Sequence, residues 1–116
     1  MPSRGVEKNP TKTLKVTGTA YTAYCNGCSG VTATGLNLRE NPNMKVIAVD
    51  PSVVKLGSLV RLTSSSYPEL NGVYVAGDTG GAIKGYKIDI FVSNYEKAKR
   101  LGVRRDIILE VLREGY

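Results

Sequence analysis

The sequence predicts a mainly β protein, a closed barrel of six or seven short strands carrying one or two small helices. Three observations carry this expectation. The apolar runs are short and rich in Val, Ile and Tyr, residues that suit a pleated, half-buried surface. Thirteen glycines in 116 residues punctuate the chain with turns and leave little room for long helices. Many short strands in one small domain favour closure, because an open sheet would leave unpaired edges. At this length there is room for a single domain, and a hydrophobic fraction of 41% is enough for a globular core.

The elements follow in chain order. Residues 1–12 hold two prolines and little apolar content, and read as a flexible tail ahead of a barrel spanning residues 13–116. Residues 14–24 alternate in places and read as a long strand bent at Gly18. Residues 31–34 read as a short strand and residues 45–49 as another. Asp50, Pro51 and Gly57 have the grammar of a one- or two-turn helix: a cap, a proline at the first helical position and a glycine stop. Residues 58–62 form the next strand, 67–72 a polar turn, and 73–76 a strand broken by the Gly77-Asp78-Thr79-Gly80-Gly81 stretch. In residues 87–92, Ile88, Ile90 and Val92 share one face, and Asp89 and Phe91 the other. Ser93 and Glu96 form a capping box for a helix ending at Gly102, and residues 107–112 close the barrel.

Composition then narrows the chemistry. The chain has no histidine, which removes Ser-His and Cys-His nucleophile systems and His-type zinc sites. Lys and Arg outnumber Asp and Glu by 16 to 10, so the surface favours polyanions. Nucleic acid is one such partner and anionic cell-wall polymers are another; with one Phe, no Trp and no aromatic ribonucleoprotein motif, a stacking platform for bases is poorly supported and nucleic acid is not expected. No apolar run approaches the roughly 20 residues of a membrane span, and residues 1–15 show no apolar signal-peptide core. Cys25 and Cys28 cannot complete a zinc site by themselves. Their Asn- and Gly-rich setting reads as loop, fitting a local disulfide in an oxidising compartment or a reduced pair, rather than a thioredoxin-type centre.

Three aspartates are candidates for chemistry. Asp89 stands mid-strand between two isoleucines, where Asp is disfavoured unless it faces solvent or serves a function. Asp78 lies among glycines that would let backbone approach a ligand, although Asp is also common in turns. Asp50 is accounted for as a helix cap. Lys84 is a plain cationic turn residue or a holder of a carboxylate or an anionic sugar group.

Taken together, the segment from Gly77 through Lys84 and Gly85, followed by Lys87-Ile88-Asp89-Ile90-Phe91, resembles the signature of the 3D domain, a family named for three aspartates and found in bacterial and phage cell-wall proteins. Thr19-Ala20-Tyr21, the Cys25–Gly30 loop, Thr32–Gly35, Ile47–Pro51 and Leu56–Ser58 match in the same order. The same core resembles the catalytic part of MltA-type lytic transglycosylases. The resemblance implies a double-psi β-barrel acting outside the cell or in its wall on peptidoglycan glycan strands, without a cofactor or metal. It implies Asp89 as catalytic acid with Asp78 and Asp50 beside it, and makes Tyr21, Thr34, Thr79, Gly80 and Lys84 candidates for substrate binding. A single carboxyl would act as acid and then base, because the muramic C6 hydroxyl is the nucleophile and the product a 1,6-anhydro sugar. That acid must stay protonated near neutral pH, which apolar neighbours such as Ile88 and Ile90 and a like charge on Asp78 would favour.

Two other readings compete. Asp78-Thr79-Gly80 matches the aspartic-protease triplet, which would require two copies sharing a proton. A non-catalytic glycan-binding or wall-loosening module on the same barrel is the stronger rival, because fold does not dictate function.

Overall fold

The computed structural model describes residues 12–24 and 29–115. Cys25 and Cys28 lie outside the described residues, as does all of the expected tail except Lys12, which already belongs to the first strand. Six strands form a closed barrel: β1 (Lys12–Tyr21), β2 (Val46–Ala48), β3 (Leu59–Thr63), β4 (Gly72–Asp78), β5 (Lys87–Phe91) and β6 (Arg104–Arg113). One helix, α1 (Tyr95–Leu101), joins β5 to β6, and a 3₁₀ turn (Pro68–Leu70) lies between β3 and β4. Around the barrel the order is β1-β5-β2-β4-β3-β6, with β1/β5 and β2/β4 parallel and the remaining pairs antiparallel. This is the double-psi β-barrel, with every strand paired on both sides. No helix of the described residues is long and apolar enough to cross a membrane.

Alternation along the strands builds the interior. Val16, Ile47, Val60, Leu62, Tyr74, Ala76, Ile88, Ile90, Ile107, Leu109 and Val111 are all buried in one cluster. Successive strand side chains point to opposite faces, so each strand commits one face to this cluster and leaves the other outside. On the outside of β1, β2 and β5, Ala23, Leu38, Val46 and Phe91 form a second, smaller core, with Tyr21, Leu36, Met44 and Val75 packed against it. The loop between β1 and β2 therefore lies over the barrel wall.

β1 bends where it was expected to. Its register with β6 shifts between Val16 and Gly18. A Cβ on Gly18 would come 2.5 Å from Ile107 Cδ1 and 3.3 Å from Ile90 Cδ1, so the glycine lets the strand close onto two core side chains.

Several local expectations change in the folded chain. The Asp50 carbonyl accepts Val53 and Val54 N–H groups at 2.8 and 3.0 Å, but this single turn never becomes a helix. The Gly57 N–H is instead taken by the Ala76 carbonyl at 2.8 Å, which draws the chain into the sheet. Residues 31–34 make only one bridge, Val31 with Asn37. There the Thr32 hydroxyl accepts the Leu36 N–H at 3.0 Å, and turn bonding replaces the ladder. The cap of α1 is Asn94, not Ser93. Asn94 has extended backbone and accepts the Lys97 N–H at 2.9 Å, while Gly102 ends the helix at φ 60° as expected. β4 runs through Asp78 rather than stopping at Ala76, and β6 begins at Arg104.

Asp106 lies in the added part of β6. Its carboxylate accepts hydrogen bonds from Ser64 Oγ (3.0 Å), Ser65 Oγ (3.1 Å), Ser66 N (2.9 Å) and Ser66 Oγ (3.0 Å). Those bonds, led by the Ser66 backbone, hold its pKa well below the usual carboxylate range and fasten the turn after β3.

Gly18→Ala should destabilise the protein by about 1–3 kcal/mol, because the new methyl would force the fully buried Ile107 side chain to shift within the core. Gly81→Ala, with nothing within 4 Å of the new methyl, should change stability by about 0.5 kcal/mol or less. Urea unfolding of the two variants beside the wild type checks the difference.

Candidate functional site

The site is laid out by strand register. Thr19 of β1 stands opposite Asp89 of β5, Asp89 opposite Ala48 of β2, and Ala48 opposite Asp78 of β4. Register partners share a face. Thr19, Asp89, Ala48 and Asp78 therefore form one row on the outside of the barrel, with only an alanine methyl between the two acidic residues.

Asp78 reaches this row through a bulge. Ile47 pairs with Ala76 and Ala48 with Asp78, so Gly77 is the extra residue. An unshifted register would have put Gly77 opposite Ala48. The bulge re-aims the aspartate, a recurrent use of such irregularities. Gly77 also has to be small. A Cβ there would meet Leu36 Cδ1 at 3.0 Å and both Thr34 Oγ1 and Val46 Cγ1 at 3.3 Å, where the β1–β2 loop comes down onto β4.

The two carboxyl groups have different surroundings. Asp78 accepts three hydrogen bonds: Ala33 N–H and Thr79 N–H at 2.9 Å to Oδ1, and the Tyr21 hydroxyl at 3.3 Å to Oδ2. Asp89 accepts the Thr19 hydroxyl at 2.8 Å. Its pKa is raised, first by burial and further by the charge of Asp78, against the opposing pull of the Thr19 hydrogen bond and Lys87. Ile88 and Ile90, the neighbours in sequence expected to do this, point into the main core instead. Tyr21 is pushed far above the usual tyrosine range, by burial first and then by Asp78. It stays a protonated donor across neutral pH.

Asp50 does something else. It accepts Gly85 N–H at 2.8 Å, Ser52 N–H at 3.0 Å and Ser52 Oγ at 2.7 Å. These bonds, the Gly85 one foremost, lower its pKa to about 2. It ties the turn after β2 to the loop between β4 and β5, and so fixes the span joining Asp78 to Asp89.

The substrate-binding candidates divide the same way. A cleft of about 360 Å³ is lined by Tyr21, Thr22, Ser29, Gly30, Val31, Asp78 and Thr79, with Ala23 and Leu38 beneath. Tyr21 and Thr79 thus face open space beside Asp78. Thr34 is exposed but does not line this cleft, and its hydroxyl donates to the Gly77 carbonyl at 2.7 Å, pinning the loop to the bulge. Gly80 packs on Ile83, where a Cβ would lie 2.9 Å from Cγ1, and Lys84 is exposed near Asp50. Asp89 is not in the cleft wall, but both Asp78 and Tyr21 are close enough to couple to its charge. Thr19 and the Ala33 N–H were not among the expected site residues. Thr19 was discoverable, since it precedes Tyr21 by two positions on a strand. The Ala33 amide was not, since nothing in the sequence brings residue 33 to residue 78.

Asp89→Asn keeps an acceptor for Thr19 and removes a charge that burial disfavours. A carboxyl whose folded pKa is raised contributes stability below its unfolded value of about 3.8 and loses it as pH rises through the folded value. The variant should therefore melt a few degrees above wild type at pH 7, with the gap closing below pH of about 4. Thermal unfolding across pH checks this. A gap that stayed constant would show that Asp89 carries no raised pKa.

The family model described as the 3D domain matches residues 45–113, which hold all three aspartates. "Putative cell wall shaping protein YabE" of Bacillus subtilis (strain 168) is 54% identical over 91 residues, covering 78% of this chain and 21% of that protein. "Cell wall-binding protein YocH" of the same organism is 57% identical over 93 residues, covering 80% of this chain and 30% of that protein. The chain thus spans less than a third of the length of either relative. Among solved structures, the Streptomyces papain inhibitor (SPI) superposes with a TM-score of 0.63 at 14% identity, covering 90% of this chain and 97% of that one, a likeness of fold alone. With its three aspartates placed by one barrel and the family model matching more than half its length, this chain belongs to the 3D domain family.

Proposed function

We propose that this domain acts on the bacterial cell wall and cleaves peptidoglycan glycan strands in the manner of a lytic transglycosylase, with Asp89 as acid and then base. The observation that carries this is the Asp89–Ala48–Asp78 row: a half-buried carboxyl of raised pKa, one alanine away from a hydrogen-bonded carboxylate. Pairs of acids pushed apart by their surroundings are how proteins keep one of them protonated for catalysis. The names of the relatives, a shaping and a binding protein of the cell wall, support a wall-directed role.

The chemistry needs little else. Asp89 donates its proton to the glycosidic oxygen between N-acetylmuramic acid and N-acetylglucosamine as the C1–O bond breaks and oxocarbenium character develops. The muramic C6 hydroxyl then bonds to C1, and its proton returns to Asp89. No water is consumed, and the acid is regenerated in its starting form. The negative charge of Asp78 raises the proton affinity of Asp89 and favours the developing positive charge. Tyr21 and Thr79 border the cleft where sugar would lie, and Asp50 holds the β4–β5 loop in place as a positioning residue.

A second reading has its own observation. Asp89 does not line the open cleft, which leaves Tyr21, Thr79 and Asp78 as a polar surface able to bind glycan without cutting it. Mass spectrometry of soluble products from purified sacculi separates the two. Anhydro-muropeptides should appear with wild type and fall by about 10²–10⁴-fold with Asp89→Asn. Co-sedimentation with sacculi and no soluble product would instead establish a binding module.

The pH profile tests the pairing of the acids. Activity should fall on the alkaline side as Asp89 ionises, and Asp78→Asn should move that limb to lower pH, because the like charge that raises the Asp89 pKa is gone. Tyr21→Phe, which removes the hydroxyl hydrogen bond to the Asp78 carboxyl, should lower kcat/KM by about 10–100-fold. An unmoved limb in Asp78→Asn would sink the proposed coupling.

A further inference from the structure

A second concavity, about 510 Å³ and larger than the cleft beside Asp78, shares no wall residue with it. It is enclosed by the segment before β2, the 3₁₀ turn, the end of β5 and α1. Three cations line it: Lys45 from the first of these, and Lys97 and Arg100 from α1. Glu69 is its one acidic residue. Among the described residues, none of the three cations forms an ion pair within 4 Å, and the ion pairs present are Lys55–Glu114 and Arg61–Glu110 elsewhere. Glu69 acts mainly on Tyr67, whose hydroxyl it raises in pKa by hydrogen bonding, with Arg100 opposing. The groove therefore carries a surplus of positive charge brought together from two separate elements and left uncompensated by the fold.

The aromatic rings in this groove are already engaged. Lys45 Nζ lies 5.1 Å from the Tyr74 ring centroid, and Tyr74 is buried, its hydroxyl donating to the Leu70 carbonyl at 2.7 Å. The Arg104 guanidinium stands 4.7 Å from the Tyr67 centroid. Single-stranded nucleic acid is held by charge together with open aromatic faces on which bases stack. Here the charge is present, the two tyrosine rings are occupied by cations, and the third ring, Phe91, is buried against Tyr21. The matching ligand is a polyanion that carries phosphodiesters and no bases.

We propose that the Lys45–Lys97–Arg100 groove is a second binding site, for the phosphodiester-linked anionic polymers of the cell wall. It would tether the domain to the wall while the separate Asp78 cleft meets the glycan. The tether does not depend on cleavage, so the two can fail independently.

The test uses poly(glycerol phosphate) as the defined probe, and purified walls before and after hydrofluoric acid has removed phosphodiester polymers. Binding of the wild type is compared with a Lys45→Gln/Lys97→Gln/Arg100→Gln variant. A control, Lys15→Gln/Arg105→Gln/Arg113→Gln, removes the same charge from exposed positions outside the groove. All the substituted side chains are exposed, and matching melting temperatures would show that each variant is folded. The expected result is that the groove variant binds the polymer at least about tenfold more weakly, with a shallower dependence on salt, while the control stays within about twofold of wild type. On stripped walls all three should bind alike and release the same products. Equal loss in the control would overturn the proposal in favour of the general positive field. Equally tight binding of a single-stranded oligonucleotide of matched charge would overturn the assigned ligand class. Absence of soluble products from wild type would count against cleavage alone and leave the polymer comparison intact.

Discussion

Everything at the site depends on a strand of three residues, held on both sides. β2 is fully buried and pairs in parallel with β4 and antiparallel with β5. Among the described residues it is the only strand paired with both acidic strands, and Ala48 is the residue at which they meet. An alanine at this point keeps the carboxyl-bearing residues in one row without a side chain between them. One extra residue in β4, Gly77, completes the arrangement by turning Asp78 onto the same face. Closure of the barrel makes this register hard to slip, since shifting β2 by one residue would turn Ile47 out of the main core and put a smaller side chain in its place.

The row then differentiates two chemically identical side chains. Asp78 has three donors and Asp89 has one. Burial disfavours the charge on Asp89, and the nearby charge on Asp78 adds to the effect. Tyr21 links the two environments. It starts on β1 opposite Phe91, packs at a tilt against that ring at 5.8 Å between centroids, and ends at the Asp78 carboxylate on β4. The outer core around Phe91 is thus part of the electrostatics, because it carries the apolar mass that keeps water from this side of the wall.

Other aspartates show how position, and not residue type, assigns the role. Asp50 and Asp106 both accept several loop hydrogen bonds and both have lowered pKa values. Each fastens a turn to a distant part of the chain: Asp50 to Gly85, Asp106 to residues 64–66. Of the three aspartates common to the family signature, one is therefore engaged as a clamp and two share the row.

The sequence by itself determined the class of fold and singled out the two aspartates that share the row. Alternation in residues 87–92 placed Asp89 on the face away from Ile88 and Ile90, and the glycine-rich Asp78 segment marked the break where a bulge formed. These are local signals, written in spacings of two residues and in the absence of side chains. Helix boundaries were less legible: Asn94 and Ser93 are both good caps, and only the path of the chain leaving β5 chose between them. Tertiary structure alone decided that Ala33 N–H and Thr34 reach β4 and that Lys45 joins Lys97 and Arg100 around one groove. The reason is physical. Alternation and capping act between near neighbours along the chain, whereas the site is set by register across strands whose pairing only the closed barrel defines.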